Sequence, residues 1–221
     1  ADVVITVTPV NDAPVVDSAI ANQNDADATA GINLDVSGNF SDIDTDVLTF
    51  TATGLPDGLS ISPAGIITGT IDNSASQFGA APNLGEHTVI ITATDPDGLN
   101  VTNTFTWQVS NPAPTAGDDS NTTTEDNDVS GTVTANDNDP DGDDLTYTLV
   151  GVQGGASNGT VTLNTDGSYT YTPNADFHGT DTFTYQADDG EGGTVEADVV
   201  ITVTPVNDAP VVDSAIANQN D

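Results

Sequence analysis

Residues 1–25, ADVVITVTPVNDAPVVDSAIANQND, recur letter for letter as residues 197–221. An unbroken identity of this length, offset by 196 residues, marks a tandem array of which the chain carries slightly more than one period. A weaker repeat lies inside the period. Asp42-Ile43-Asp44-Thr45-Asp46-Val47-Leu48-Thr49-Phe50 and Asp139-Pro140-Asp141-Gly142-Asp143-Asp144-Leu145-Thr146-Tyr147 share the pattern D-x-D-x-D-x-L-T-aromatic, 97 residues apart. The period is therefore two related domains, ended by similar linkers at Asn11-Asp12-Ala13-Pro14, Asn111-Pro112-Ala113-Pro114 and Asn207-Asp208-Ala209-Pro210. The boundaries fall at 11–112 and 113–208. Residues 1–10 read as the last strand of a preceding repeat, and 209–221 as the start of the next.

Between the linkers the hydrophobic period is two. Thr104-Phe105-Thr106-Trp107-Gln108-Val109, Thr160-Val161-Thr162-Leu163, Ser168-Tyr169-Thr170-Tyr171 and Thr182-Phe183-Thr184-Tyr185 alternate polar with apolar. Thr, Val and aromatic residues fill half-buried strands well. Pro56-Asp57-Gly58, Asp97-Gly98 and Thr165-Asp166-Gly167 supply turns, the last between two alternating runs, which predicts a hairpin. No amphipathic helix stands out. The expectation is an all-β chain of two tandem Ig-like or cadherin-like antiparallel β-sandwiches in an extended arrangement. Both end copies are expected to be loosely held unless a neighbour captures them.

Composition sets the chemistry. The chain has 35 acidic side chains, no Lys or Arg and no Cys, for a formal charge of −35. A chain without cations cannot neutralise phosphates, and an anionic bilayer repels it, so neither nucleic acid nor direct membrane contact is expected. Nucleotide chemistry that needs a Lys or Arg, thiolate catalysis and Cys-based zinc sites fall with the missing residues. No apolar run reaches membrane-spanning length. No signal peptide is visible, but the stretch reads as internal to a longer chain.

The acidic residues are clustered. One kind of cluster is the alternating run: Asp42, Asp44 and Asp46, and Asp137, Asp139, Asp141 and Asp143. A second precedes each domain's last strand: Asp95-Pro96-Asp97, and Asp188-Asp189-Gly190-Glu191. The third is the linker, Asn11-Asp12 and Asn207-Asp208. Asp forms strands poorly, so each cluster is expected in a loop, and sandwich loops gather at the two ends of the body. An isolated acid there reads as a solvated turn. Alternating Asp at the same place in both halves reads as a cation site, because grouped carboxylates repel without one. Many hard oxygens without His or Cys favour Ca²⁺, several ions at domain junctions; Mg²⁺ keeps more of its waters. Asp137-x-Asp139-x-Asp141-Gly142 mimics the opening of an EF-hand loop, but the twelfth position is Thr148, not Glu, and the flanks are strands.

Catalysis has little support. His87 falls in an expected strand and His178 in Asp176-Phe177-His178-Gly179, neither spaced for a metal pair or a triad. Trp107 reads as core rather than a sugar platform. Glu86 and Glu196 read as solvated strand residues, whereas Glu125 and Glu191 lie in ligand-like loops. No enzyme and no small-molecule substrate are expected.

The order of these motifs resembles a cadherin repeat. Glu125, Ala135-Asn136-Asp137-Asn138-Asp139, Leu145-Thr146-Tyr147, Ala187-Asp188 and Ile201-Thr202-Val203-Thr204-Pro205-Val206-Asn207-Asp208-Ala209-Pro210 follow the family's early Glu, A-x-D-x-D, later A-x-D and Asp/Asn linker. Here Pro205 replaces the first linker Asp, and one Asn is missing. Asn158–Leu163, Tyr169–Asn174 and Gly179–Tyr185 resemble cadherin-like repeats of giant bacterial surface adhesins. The first half is similar to dystroglycan-type cadherin-like or Ig-like modules through Leu55–Ile61, Gly65–Thr70 and Ala93-Thr94-Asp95. The resemblance implies an extracellular extender of an RTX-type adhesin, stiffened by Ca²⁺ and partnered by neighbouring identical repeats. Two other readings stand beside it. One is a carbohydrate- or protein-binding module of a secreted protein. The other is an acidic surface-layer or matrix protein adapted to high salt.

Overall fold

A computed structural model describes residues 10–78 and 84–209. Residues 1–9 and 210–221 lie outside the described residues, so the two end copies cannot be compared with their expected strands there. The chain divides into two compact units. The first comprises Ala1–Ala113 with Asp139–Asp144 and Gly190–Gly193; the second comprises Pro114–Asn138, Leu145–Asp189 and Thr194–Asp221.

The first unit contains β1 (Val15–Val16), β2 (Gln23–Ala26), β3 (Ala30–Asp35), β4 (Phe40–Ser41), β5 (Thr49–Thr53), β6 (Leu59–Ile61), β7 (Ile66–Thr70), β8 (Glu86–Thr94) and β9 (Asn100–Ser110). They form a four-stranded sheet, β2-β9-β8-β5, a three-stranded sheet, β3-β7-β6, and the small pair β1-β4. In β9 the alternation works as expected. Phe105, Trp107 and Val109 are buried, while Thr104, Thr106 and Gln108 face outward. Trp107 joins Val36, Ile67, Val89 and Ile91 in the core.

The second unit contains β10 (Asp119–Thr124), β11 (Val129–Thr132), β12 (Thr146–Leu149), β13 (Gly159–Leu163), β14 (Ser168–Pro173), β15 (Gly179–Asp188) and β16 (Thr194–Thr204). Its sheets are β10-β16-β15-β12 and β11-β14-β13. Between them lie Tyr171, Phe183, Tyr185, Val199 and Ile201, each without solvent exposure. The predicted hairpin is β13–β14, which pair antiparallel from Gly159↔Pro173 to Leu163↔Tyr169. Its turn needs Gly167, whose φ is +83°; a Cβ there would meet the Thr134 methyl at 2.5 Å.

Two details correct the expectation. Pairing is not wholly antiparallel: β2 runs parallel to β9, and β10 parallel to β16. In each unit the first strand of the large sheet lies beside the last and points the same way. Nor do all the acidic clusters sit wholly in loops, because Asp188 is the last residue of β15, opposite Thr194. A strand's terminal side chain still reaches solvent on one face, so Asp is tolerated there.

Candidate functional site

The described carboxylates converge in three places. The first lies at the linker end of the first unit. Asp42 follows β4 and Asp95 follows β8, which brings two acidic loops to the incoming chain. Asn11 donates from Nδ2 to Asp95 Oδ2 at 2.8 Å, and the Asp12 N–H donates to Asp44 Oδ2 at 2.8 Å. The Asp44 N–H donates to Asp42 Oδ1 at 2.8 Å. The second Asp42 oxygen is buried and meets no donor. Desolvation, then the charges of Asp42, Asp44, Asp95 and Asp97, hold the Asp46 carboxyl above its usual range. Seven of the residues singled out in the sequence thus share one region: Asn11, Asp12, Asp42, Asp44, Asp46, Asp95 and Asp97.

The second group is the Asp139–Asp144 loop, also in the first unit. Asp139 Oδ1 accepts the N–H groups of Asp141 and Gly142 at 3.1 Å and that of Asp143 at 3.3 Å. This folds the loop around one oxygen and leaves oxygens of Asp139, Asp141 and Asp143 within 4.8 Å of one another. Neither Asp141 oxygen meets an N–H or O–H donor, although both are buried. Burial, then the Asp139 carboxylate beside it, pushes the Asp141 carboxyl up to about 7. Asp139 is also raised by burial, but hydrogen bonds from Asp141, Asp143 and Gly142 outweigh that and hold it low. Like charges about 4 Å apart repel by about 4 kcal/mol at the effective dielectric of a protein surface. A cation among these oxygens would reverse the sign. Asn73 of the same unit donates to Asp143 at 3.2 Å. Gln77 donates to the Glu191 carbonyl at 3.2 Å.

The third group ends the second unit. Glu125 follows β10 and is 4% exposed. One of its oxygens accepts the Val206 N–H, and the other lies 3.7 Å from His178 Nδ1. Beside it, oxygens of Asp126, Asp176 and Asp208 lie within 4.8 Å of one another, all three exposed. Asp126 and Asp176 have φ of +63° and +56°, a left-handed conformation in which Asp is enriched. The Asp176 N–H donates to Asp126 Oδ1 at 3.2 Å. Sequence reasoning named Asp208 and Glu125 but missed Asp126 and Asp176. Their only signal is position: one follows the early Glu, and the other sits in a turn before β15.

Asp27 was missed as well. It follows β2 as Glu125 follows β10, and its N–H donates to the Ser110 carbonyl at 3.0 Å, as that of Glu125 donates to Thr204 at 2.9 Å. Asp27 is 4% exposed; Oδ1 accepts the Ser76 N–H, and Oδ2 is buried without a donor. Asp137 is engaged elsewhere. It accepts the Tyr185 hydroxyl at 3.0 Å and the Gly117 N–H at 3.1 Å, inside the second unit. That contact, after burial, raises the Tyr185 phenol well above its usual range. Asp189 is 5% exposed, and Asn207 donates to the Asp208 carbonyl at 3.2 Å.

The donor set is all oxygen and mostly carboxylate, which suits Ca²⁺, and buried oxygens without donors are what a cation would satisfy. His87 does not contribute: it is buried and contacts the Ala75 carbonyl at 2.9 Å. No helix among the described residues is long and apolar enough to cross a membrane.

Residues 111–205 match the family model for the bacterial cadherin-like domain, and residues 13–110 match that for the "Putative Ig domain". No curated protein sequence matches the chain. Among solved structures, Drosophila N-cadherin EC1-4 is 13% identical with a TM-score of 0.41, over 89% of this chain and 50% of that one. Mouse Cadherin-23 EC22-24 is 17% identical with a TM-score of 0.40, over 88% and 65%. The endo-fucoidan hydrolase MfFcnA4 of glycoside hydrolase family 107 is 20% identical with a TM-score of 0.40, over 91% of this chain and 30% of its own. The chain thus spans under a third of that hydrolase.

Proposed function

Since the chain is an Ig-like domain followed by a bacterial cadherin-like domain, we propose that it is a calcium-stiffened spacer segment of a repetitive extracellular adhesin. One observation carries this reading. The linker sequence occurs twice and meets acidic partners in both places. As Asn11-Asp12 it bonds to Asp95 and Asp44; as Asn207-Asp208 it brings Asp208 to Asp126 and Asp176. In a tandem array the two copies become one linker, which then serves a carboxylate group before it and another after it. Ca²⁺ held there by Asp126, Asp176 and Asp208 on one side, and by Asn11, Asp44 and Asp95 on the other, would neutralise both groups and fix the linker. Asp139, Asp141 and Asp143 would hold a further ion.

The fidelity of the repeat supports a spacer role, because length matters in a spacer and surface variety does not. No catalytic role is assigned. Extracellular Ca²⁺ modules bind with Kd on the order of 10⁻⁴–10⁻³ M, so such sites fill outside the cell and stay empty in the cytosol.

Thermal melts and small-angle scattering in Ca²⁺, Mg²⁺, chelator and NaCl test the proposal. Millimolar Ca²⁺ should raise the Tm and lengthen the particle, Mg²⁺ should do so weakly, and chelator should undo both. If molar NaCl works as well as Ca²⁺, the acidity is an adaptation to salt. If chelator changes neither Tm nor length, the calcium-spacer reading is wrong.

A further inference from the structure

The chain contains one Asn-Gly pair, Asn158-Gly159, where β13 begins. Packing fixes the glycine there. A Cβ on Gly159 would meet the Tyr171 ring at 2.4 Å, and Tyr171 is wholly buried with its hydroxyl donating to Asp181 at 2.9 Å. The residue that the core demands is also the one that least shields its own backbone nitrogen.

The strand pairing leaves that nitrogen open. Gly159 stands opposite Pro173, which has no N–H. The neighbouring Asn174 N–H donates to the Asn158 carbonyl at 2.7 Å. Gly159 therefore belongs to a non-hydrogen-bonded pair of the antiparallel ladder, and its N–H turns away from β14. β13 is an edge strand paired only with β14, so no further strand receives that N–H. The Asn158 side-chain amide is half-buried and meets no partner among the described residues. Other asparagines use theirs within the fold. Asn103 donates to the Ser18 carbonyl at 2.9 Å, Asn121 to the Tyr169 hydroxyl at 3.0 Å and Asn136 to the Asp118 carbonyl at 3.1 Å.

We infer that Asn158 is a site of spontaneous covalent modification in the folded chain, and that the modification loosens the β13–β14 hairpin. The Gly159 nitrogen attacks Asn158 Cγ and forms a new N–C bond. Nδ2 leaves as ammonia, carrying the proton that the attacking nitrogen gives up, and a cyclic succinimide remains. Water then opens the ring at one of its two carbonyls, giving aspartate or its β-linked isomer at position 158. Nothing is oxidised or reduced, and no enzyme is needed. Either product adds a carboxylate beside a buried one. The Asn158 N–H donates to Asp181 Oδ2 at 2.8 Å and the Ser157 N–H to Asp181 Oδ1 at 3.1 Å, with Asp181 6% exposed. The isomer also lengthens the main chain by a methylene between these anchors and the Gly159↔Pro173 pair, so anchors and ladder no longer hold in one register. This chemistry is independent of the calcium reading.

Peptide mass spectrometry tests it, on chain aged in isotope-labelled water at constant Ca²⁺, native and in urea. The chymotryptic peptide that holds Asn158 should lose ammonia, take up a labelled oxygen and yield both aspartate and its isomer, before any other asparagine of the chain converts. Its rate should rise with pH, because the attacking nitrogen must shed a proton. Attack that required global unfolding would be at least about a thousand-fold slower in the native chain than in urea, at ordinary domain stabilities. Opening at a sheet edge needs far less, so the native rate should lie within about a hundred-fold of the urea rate. N158Q, whose longer side chain closes a less favourable ring, should keep its amide. The near-UV Tyr signal of the modified chain should melt at a lower temperature than that of the fresh chain. A native rate below that hundred-fold bound, earlier conversion of another asparagine, equal ammonia loss at position 158 in N158Q, or an unchanged Tyr melt overturns the inference.

Discussion

Asp141 shows how a single side chain can carry an electrostatic cost that a ligand would remove. Its carboxyl, buried beside that of Asp139, is pushed up to about 7. Its unfolded value is about 3.8. Between these two values the native chain keeps a proton that the unfolded chain has lost, so stability falls as pH rises through that window. In chelator, the Tm should therefore decline from about pH 4 to about pH 7, and D141N should flatten the decline. Equal slopes for wild type and D141N would contradict this. Asp35, Asp72 and Asp166 behave in the opposite way. Each accepts hydrogen bonds from the Ser two residues on, which hold its carboxyl below the usual range. Their stabilising contribution is complete above the unfolded pKa and is lost on strong acidification.

At the scale of elements, the hairpin β13–β14 is the most local and the easiest to break. Gly167 has φ of +83°, and an added Cβ would sit 2.5 Å from the Thr134 methyl. G167A should cost about 1–2 kcal/mol, from left-handed strain plus that contact, measured by urea unfolding. Such elements were legible in the sequence because alternation and turn chemistry are both local. Thr104–Val109 and Thr182–Tyr185 sit in β9 and β15 with the expected faces inward. Strand direction was not legible, since alternation reads the same whichever way a neighbour runs; the parallel pairs β2–β9 and β10–β16 are features of the fold alone. The sites were half legible. Repeated D-x-D runs identify Asp42, Asp44, Asp139 and Asp141, but period two cannot tell that Asp137 turns inward to Tyr185. Asp27, Asp126 and Asp176 each stand outside any run, and only the fold brings them to the linkers.

The whole molecule carries its own reporters. Its single Trp, Trp107, lies in the first unit's core, and all four Tyr lie in the second unit's. Each unit has a separate core, so in chelator the Trp emission and the near-UV Tyr signal should melt at different temperatures. Coincident curves would mean that the two units unfold as one cooperative body. The parallel pairing of first and last strands has a mechanical consequence. The chain enters the second unit toward the start of β10 and leaves it at the end of β16, and these strands lie side by side over six paired residues. Tension drawn along the chain thus pulls the two strands lengthwise in opposite directions and loads the ladder in shear, all its bonds at once. An antiparallel first and last pair would instead have peeled apart one bond at a time. The first unit has only four such pairs, between β2 and β9. Under rising tension it should yield before the second.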